Sequence, residues 1–112
     1  MTDTTNGTTT QEAITWVEVV AWEKATPGSD ATMISDMETG ETLTAAMLDK
    51  AISYLDRETG PICGLSVYVY RGDAEERSEA EEITTRGYAR EFVADVKPDI
   101  MRRLSDDSIA IS

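Results

Sequence analysis

The sequence predicts a small two-layer α+β sandwich: a three- or four-stranded, mostly antiparallel sheet with two main helices, in the order β-β-α-β-α. Three observations carry this. Ile62–Tyr70 alternates, with Leu65, Val67 and Val69 on one side and Ser66, Tyr68 and Tyr70 on the other. Ile14–Lys24 does the same, with Val17, Val19 and Ala21 opposite Trp16, Glu18, Val20 and Trp22. Between them, Leu48, Ala51, Ile52 and Leu55 recur at the spacing of one helical face. At 112 residues the chain suits one domain with a single modest core.

Taken in order, residues 1–12 form a Thr-rich arm with almost nothing apolar to bury, the single domain spans 13–104, and 105–112 is a C-terminal tail. After the Ile14–Lys24 strand, Pro27-Gly28-Ser29-Asp30 is a turn signal. Thr32–Glu38 then pairs back as a short edge strand whose charged positions suit exposure. Leu43–Thr59 is the best helix: Thr44 is its N-cap, Leu43 is placed to pack on Leu48 as a hydrophobic staple, and Gly60-Pro61 stops it. Arg71-Gly72-Asp73 is the exit turn of the Ile62–Tyr70 strand. Asp73 as N-cap and Glu76 at N3 resemble a capping box, so Ala74–Glu82 is read as a solvated helix, with a fourth strand over Glu82–Tyr88 as the alternative. Ala89, Phe92, Val93, Val96 and Ile100 resume helical periodicity from about Tyr88, and Pro98 is expected to end or kink that helix. Ile109 and Ile111 alternate, leaving open an added edge strand.

Ten Lys and Arg stand against 22 Asp and Glu, a formal charge of −12, which opposes direct binding to nucleic acid or anionic membrane. Only Lys24, Lys50 and Lys97 are Lys, and Thr is abundant. This balance resembles the proteome of a salt-in halophile, where molar salt shortens the Debye length to about 3 Å and screens the self-repulsion. No apolar run approaches the roughly 20 residues of a membrane span, and no signal-peptide pattern opens the sequence. A cytoplasmic or virion location is expected.

Few chemistries fit this residue set. There is no His, and Cys63 is the only Cys, so intrachain disulfides, thiolate or imidazole zinc sites and His-based dyads are excluded. Cys63, with no neighbouring cation, reads as a small buried hydrophobe. Neither GxGxxG nor GxxxxGK[ST] occurs, and the acids cluster on predicted exposed faces and not at strand ends beside an aromatic cleft. No catalytic, cofactor-binding or metal-ligating residue is assigned.

The useful constellation is geometric. With helices over Val17, Val19, Leu65, Val67 and Val69, the residues Trp16, Trp22, Tyr68 and Tyr70 share the other face. It is either a protein-interaction surface or core covered by the second helix or the arm. The leading expectation is a non-catalytic protein-interaction or assembly subunit, an accessory or virion structural protein of a halophilic archaeon or its virus, acting on a protein partner or by self-association as a homo-oligomer. The first rival is an acidic DNA mimic presenting Glu75, Glu76, Glu79, Glu81 and Glu82 to a nucleic-acid-binding protein. The second is a small enzyme or ligand-binding domain with a deep pocket.

Overall fold

The computed structural model describes residues 12–34, 37–55 and 62–111, with the backbone alone over 88–94. The elements are β1 (Ile14–Lys24), β2 (Thr32–Met33), β3 (Glu38–Gly40), α1 (Ala45–Leu55), β4 (Ile62–Arg71), a 3-10 turn (Arg77–Glu79), β5 (Glu81–Tyr88) and α2 (Ala89–Asp106). All strands join one antiparallel sheet of five: β1 and β4 are central, β2 and β3 pair with β1 along one edge, and β5 pairs with β4 at the other. The fold class is the expected α+β sandwich. One detail differs: the edge strand expected over Thr32–Glu38 is two short segments around residues 35–36, which lie outside the described residues. Strand β5 is the fourth strand that the sequence offered as the alternative over Glu82–Tyr88.

Both helices lie on the face of the odd-numbered strand residues. Val17, Val19 and Ala21 of β1, Cys63, Leu65, Val67 and Val69 of β4 and Ile83 of β5 form one core with Met47, Leu48, Ala51 and Leu55 of α1 and Val96, Ile100 and Leu104 of α2. Each Val, Leu or Ile taken from water here contributes about 1.5–3 kcal/mol, which is what holds helix to sheet. Helix α1 starts as the sequence predicts: the Met47 amide donates to Thr44 Oγ1 at 3.2 Å, and Leu43 and Leu48 are both buried. Its expected stop at Gly60-Pro61, the arm over residues 1–11 and the side chains of Ala89, Phe92 and Val93 lie outside the described residues.

Three expectations are revised. Ala74–Glu82 is not a helix, because it has only Ala74 and Ala80 to bury and sets Glu75 four residues from Glu79; pairing of 81–88 with β4 instead buries Ile83 and Thr85. Only the 3-10 turn remains, and the expected Asp73/Glu76 capping box moves three residues on: Glu79 Oε1 accepts from the amides of Glu75 and Glu76, each at 3.1 Å, which lowers the Glu79 pKa. Of the two outcomes expected at Pro98, ending α2 or kinking it, the first does not occur. A Pro inside a helix costs about 3 kcal/mol, but Val96 before it and Ile100 and Leu104 after it are all fully buried and anchor both halves to the sheet.

Residues 105–111, expected as a C-terminal tail, begin in α2, and among the described residues they add no strand to this sheet. Ser105 and Asp106 complete α2, and Ser108, at φ 61°, closes a Schellman motif. The Ile109 amide donates to the Leu104 carbonyl at 2.9 Å and the Ser108 amide to that of Ser105 at 2.9 Å, so Ile109 packs in the core beside Leu104. A Ser in the left-handed region is strained where Gly would not be, and Ser108→Gly is expected to gain about 0.5–1 kcal/mol, read as a higher denaturation midpoint at unchanged m. Thr85 is fully buried on the helix-facing side, and among the described residues its hydroxyl has no hydrogen-bond partner. The isosteric Thr85→Val is expected to stabilise by about 1 kcal/mol in the same assay.

Candidate functional site

The even-numbered strand residues point away from both helices and form rows across the sheet. From one end these are Trp22, Gly64 and Arg86; Val20, Ser66 and Thr84; Glu18, Tyr68 and Glu82; then Trp16 and Tyr70. Strand alternation alone produces this set, and no described helix covers it.

At the first end the Trp22 ring lies on Gly64. A Cβ built at Gly64 would meet the ring at 2.3 Å and the Thr85 carbonyl oxygen at 2.2 Å, so only Gly permits this approach. The indole Nε1 donates to Ser66 Oγ at 2.9 Å, Ser66 Oγ is 3.0 Å from Thr84 Oγ1, and Thr84 Oγ1 donates to Glu82 Oε2 at 2.9 Å. This network satisfies the polar atoms of the floor, and Trp22 and Ser66 are buried with no helix or strand of the described residues lying over them. Lys24 Nζ lies 5.8 Å from the Trp22 ring centroid, at the outer limit of a cation–π contact.

At the other end Arg77 reaches in from the 3-10 turn. Its guanidinium lies 4.3 Å from the Tyr68 ring centroid, donates to Glu18 Oε1 at 3.3 Å and approaches Met37 Sδ at 3.5 Å. Tyr70 Oη donates to the same Glu18 oxygen at 2.8 Å. Burial first, and then the adjoining Glu18, push the Tyr70 phenol above its ordinary pKa; burial and then the charge of Glu82 do the same to Tyr68. Burial of Arg77, the largest single influence, works against its charge, but the hydrogen bond to Glu18 together with the interactions with Tyr68 and Tyr70 outweighs it, and the guanidinium pKa is raised. Tyr68 thus sits between two carboxylates in its row, and Arg77 is the cation that makes the row tolerable.

Between the ends is a half-open groove of about 670 Å³, lined by Val20, Trp22, Lys24, Ala31, Met33, Ser66, Tyr68, Arg77, Glu82, Thr84, Arg86 and Arg103. Four of the chain's ten cations, Lys24, Arg77, Arg86 and Arg103, therefore converge on one concavity that holds a single acid among its lining residues. The chain as a whole carries −12, so this distribution is opposite to the average surface.

The four aromatic residues singled out from the sequence share this face but not one cluster. Trp16 and Tyr70 are cross-strand partners with Tyr68 one row away, while Trp22 stands at the far end. Their exposure is graded: Tyr70 and Trp22 are 5% and 7% exposed, Tyr68 is half-buried, and Trp16 is 38% exposed beside the groove, with Met33 at 54% within it. The acidic set divides. Glu75, Glu76 and Glu79 are exposed around the 3-10 turn, whereas Glu81 and Glu82 alternate to opposite faces. Burial and then nearby Asp107 raise the Glu81 pKa, with Arg71 Nε 3.7 Å away. Cys63 is fully buried in the helix-facing core. Sequence reasoning missed Gly64, Lys24, Arg77, Arg86 and Arg103. Pairing Trp22 with Gly64 was recoverable by sliding one alternating strand along the other; the reach of Arg77 over Tyr68 and of Arg103 from α2 was not.

No helix among the described residues is long and apolar enough to cross a membrane. No protein-family model, curated protein or solved structure matches the chain.

Proposed function

We propose that this chain is a non-catalytic protein-interaction or assembly subunit that receives an acidic segment of its partner on the open sheet face. The observation that carries this reading is the gathering of Lys24, Arg77, Arg86 and Arg103 around a groove floored by Trp22 and Tyr68, in a chain with a formal charge of −12. Aromatic and Arg side chains are the residue types that dominate interface energetics, and exposed Trp16 and Met33 extend the surface beyond the cations. In a salt-in halophile, partners are themselves acidic, so a recognition face must reverse the usual surface charge. The Lys-poor, Thr-rich composition supports that setting, and membership of a virion rests on small size. Division of the five acids between the 3-10 turn and opposite faces of β5 supports the interaction reading over DNA mimicry, which needs one acidic array.

The test is fluorescence anisotropy of a labelled Glu/Tyr copolymer peptide titrated with the protein. Lys24→Glu, Tyr68→Ala and Trp16→Ala are expected to weaken binding about tenfold or more, the loss of one good interfacial contact. Lys97→Glu makes the same charge change on the helix layer, where Lys97 Nζ pairs with Asp49 at 2.6 Å, and is expected to bind within about twofold of the unmodified chain. Equal losses for Lys24→Glu and Lys97→Glu would reduce the effect to net charge and refute a site.

A further inference from the structure

Among the described residues strand β5 ends the sheet, pairing only with β4, and its outward backbone groups are a template for another strand. Its sequence over Glu81–Tyr88, EEITTRGY, contains neither Lys nor Pro, two residues that commonly blunt such an edge. We infer that the partner at this edge is a second copy of the chain, with β5 pairing antiparallel to β5 of the partner subunit about a two-fold axis at Thr84.

The register follows from charge. A two-fold axis normal to the sheet keeps both helix layers on one side only if like-facing residues oppose each other, so the axis must pass through a residue position. Centring it on Thr84 sets Glu82 opposite Arg86 of the partner subunit, and Arg86 opposite the partner's Glu82, with Ile83 and Thr85 likewise exchanged. Shifting the axis to Ile83 or Thr85 removes both charge pairs, and centring it on Glu82 opposes like charges. Within one chain the two do not pair: four residues apart on a strand, their Cα atoms are separated by about 13 Å. Among the described residues Arg86 has no ion-pair partner, and Glu82 is bonded only to the hydroxyls of Thr84 and Ser66. Arg103, the cation α2 brings to this side, is held by Asp99 of its own helix and does not claim Glu82. Pairing joins the two sheets edge to edge and brings the two grooves together, each keeping Lys24 beside Arg77 and Arg103, which are bonded to Glu18 and Asp99 of their own chain.

Sedimentation velocity of the full chain over a concentration series, with no peptide present, tests this independently of the groove. The unmodified chain is expected to dimerise, with Glu82→Arg and Arg86→Glu each weakening the dimer about tenfold or more because two like-charge pairs replace two attractive ones. The double variant Glu82→Arg/Arg86→Glu restores both pairs and is expected to return the constant to within about threefold. The two single variants move net charge in opposite directions, so a bulk-charge effect would push their dimer constants apart, whereas edge pairing weakens both. Circular dichroism confirms that each variant is folded. A chain monomeric throughout, a dimer indifferent to either reversal, or failure of the swap to restore it overturns the inference.

Discussion

Gly64→Ala is expected to destabilise the domain by about 3 kcal/mol or more, at the upper end of what overpacking costs. The added methyl meets two obstacles at once: the Trp22 ring at 2.3 Å and the backbone carbonyl of Thr85 at 2.2 Å. Trp22 can swing away, at the loss of its bond to Ser66 and of a buried aromatic face, but the carbonyl moves only if β5 parts from β4. For a domain of this size the loss corresponds to a fall in Tm of about 10 °C or more, accompanied by a red shift of the indole emission as Trp22 meets water. Gly28→Ala is the control, since nothing lies within 4 Å of a Cβ there, and it is expected to be near neutral. Equal stability of the two variants would mean that Trp22 does not lie on Gly64.

Arg77→Ala is expected to cost about 1–2 kcal/mol, less than the loss of a buried ion pair because the guanidinium is 48% exposed and partly screened. The cost arises from what Arg77 leaves behind: a Glu18 carboxylate only 16% exposed, and Tyr68 between two acids. Arg77→Lys should recover little, because an ammonium cannot both stack flat on Tyr68 and reach Glu18. A double-mutant cycle with Glu18→Gln should give a coupling of at least about 0.5 kcal/mol. Burial raises the pKa of both Tyr68 and Tyr70, and the positive charge of Arg77 offsets part of that rise. Alkaline absorbance titration of Arg77→Ala should therefore place both phenols higher still. An unchanged titration would show that the guanidinium does not sit over this row.

The strands and α1 were legible because their signals are local: alternation in Ile14–Lys24 and Ile62–Tyr70, and the Thr44 cap with the Leu43–Leu48 staple. Ala74–Glu82 misled because its charges suit a helix dipole, yet a helix there has no apolar stripe to bury, and Ile83 and Thr85 gain more by pairing with β4. Pro98 misled for the complementary reason, since the cost of a proline is local while burial of Val96, Ile100 and Leu104 is tertiary. In the site, alternation placed Trp16, Trp22, Tyr68 and Tyr70 on one face, but their exposure depends on which side chains lie over them. That is decided by Gly64 beneath Trp22 and by Arg77, nine residues beyond Tyr68, folding back across it. Convergence of cations is a property of the assembled sheet; Lys24, Arg86 and Arg103 come from three separate elements.

On the proposed function this concavity, and no other part of the surface, receives an acidic segment. The most direct measurement of this is an NMR titration of the ¹⁵N-labelled chain with the Glu/Tyr peptide, following the Trp22 indole N–H and the backbone amides. Shifts are expected at the Trp22 indole and at Ser66, Tyr68 and Thr84, with Val96 and Ile100 on the helix layer unmoved. Shifts clustered on α1 and α2, or none at saturating peptide, would contradict it.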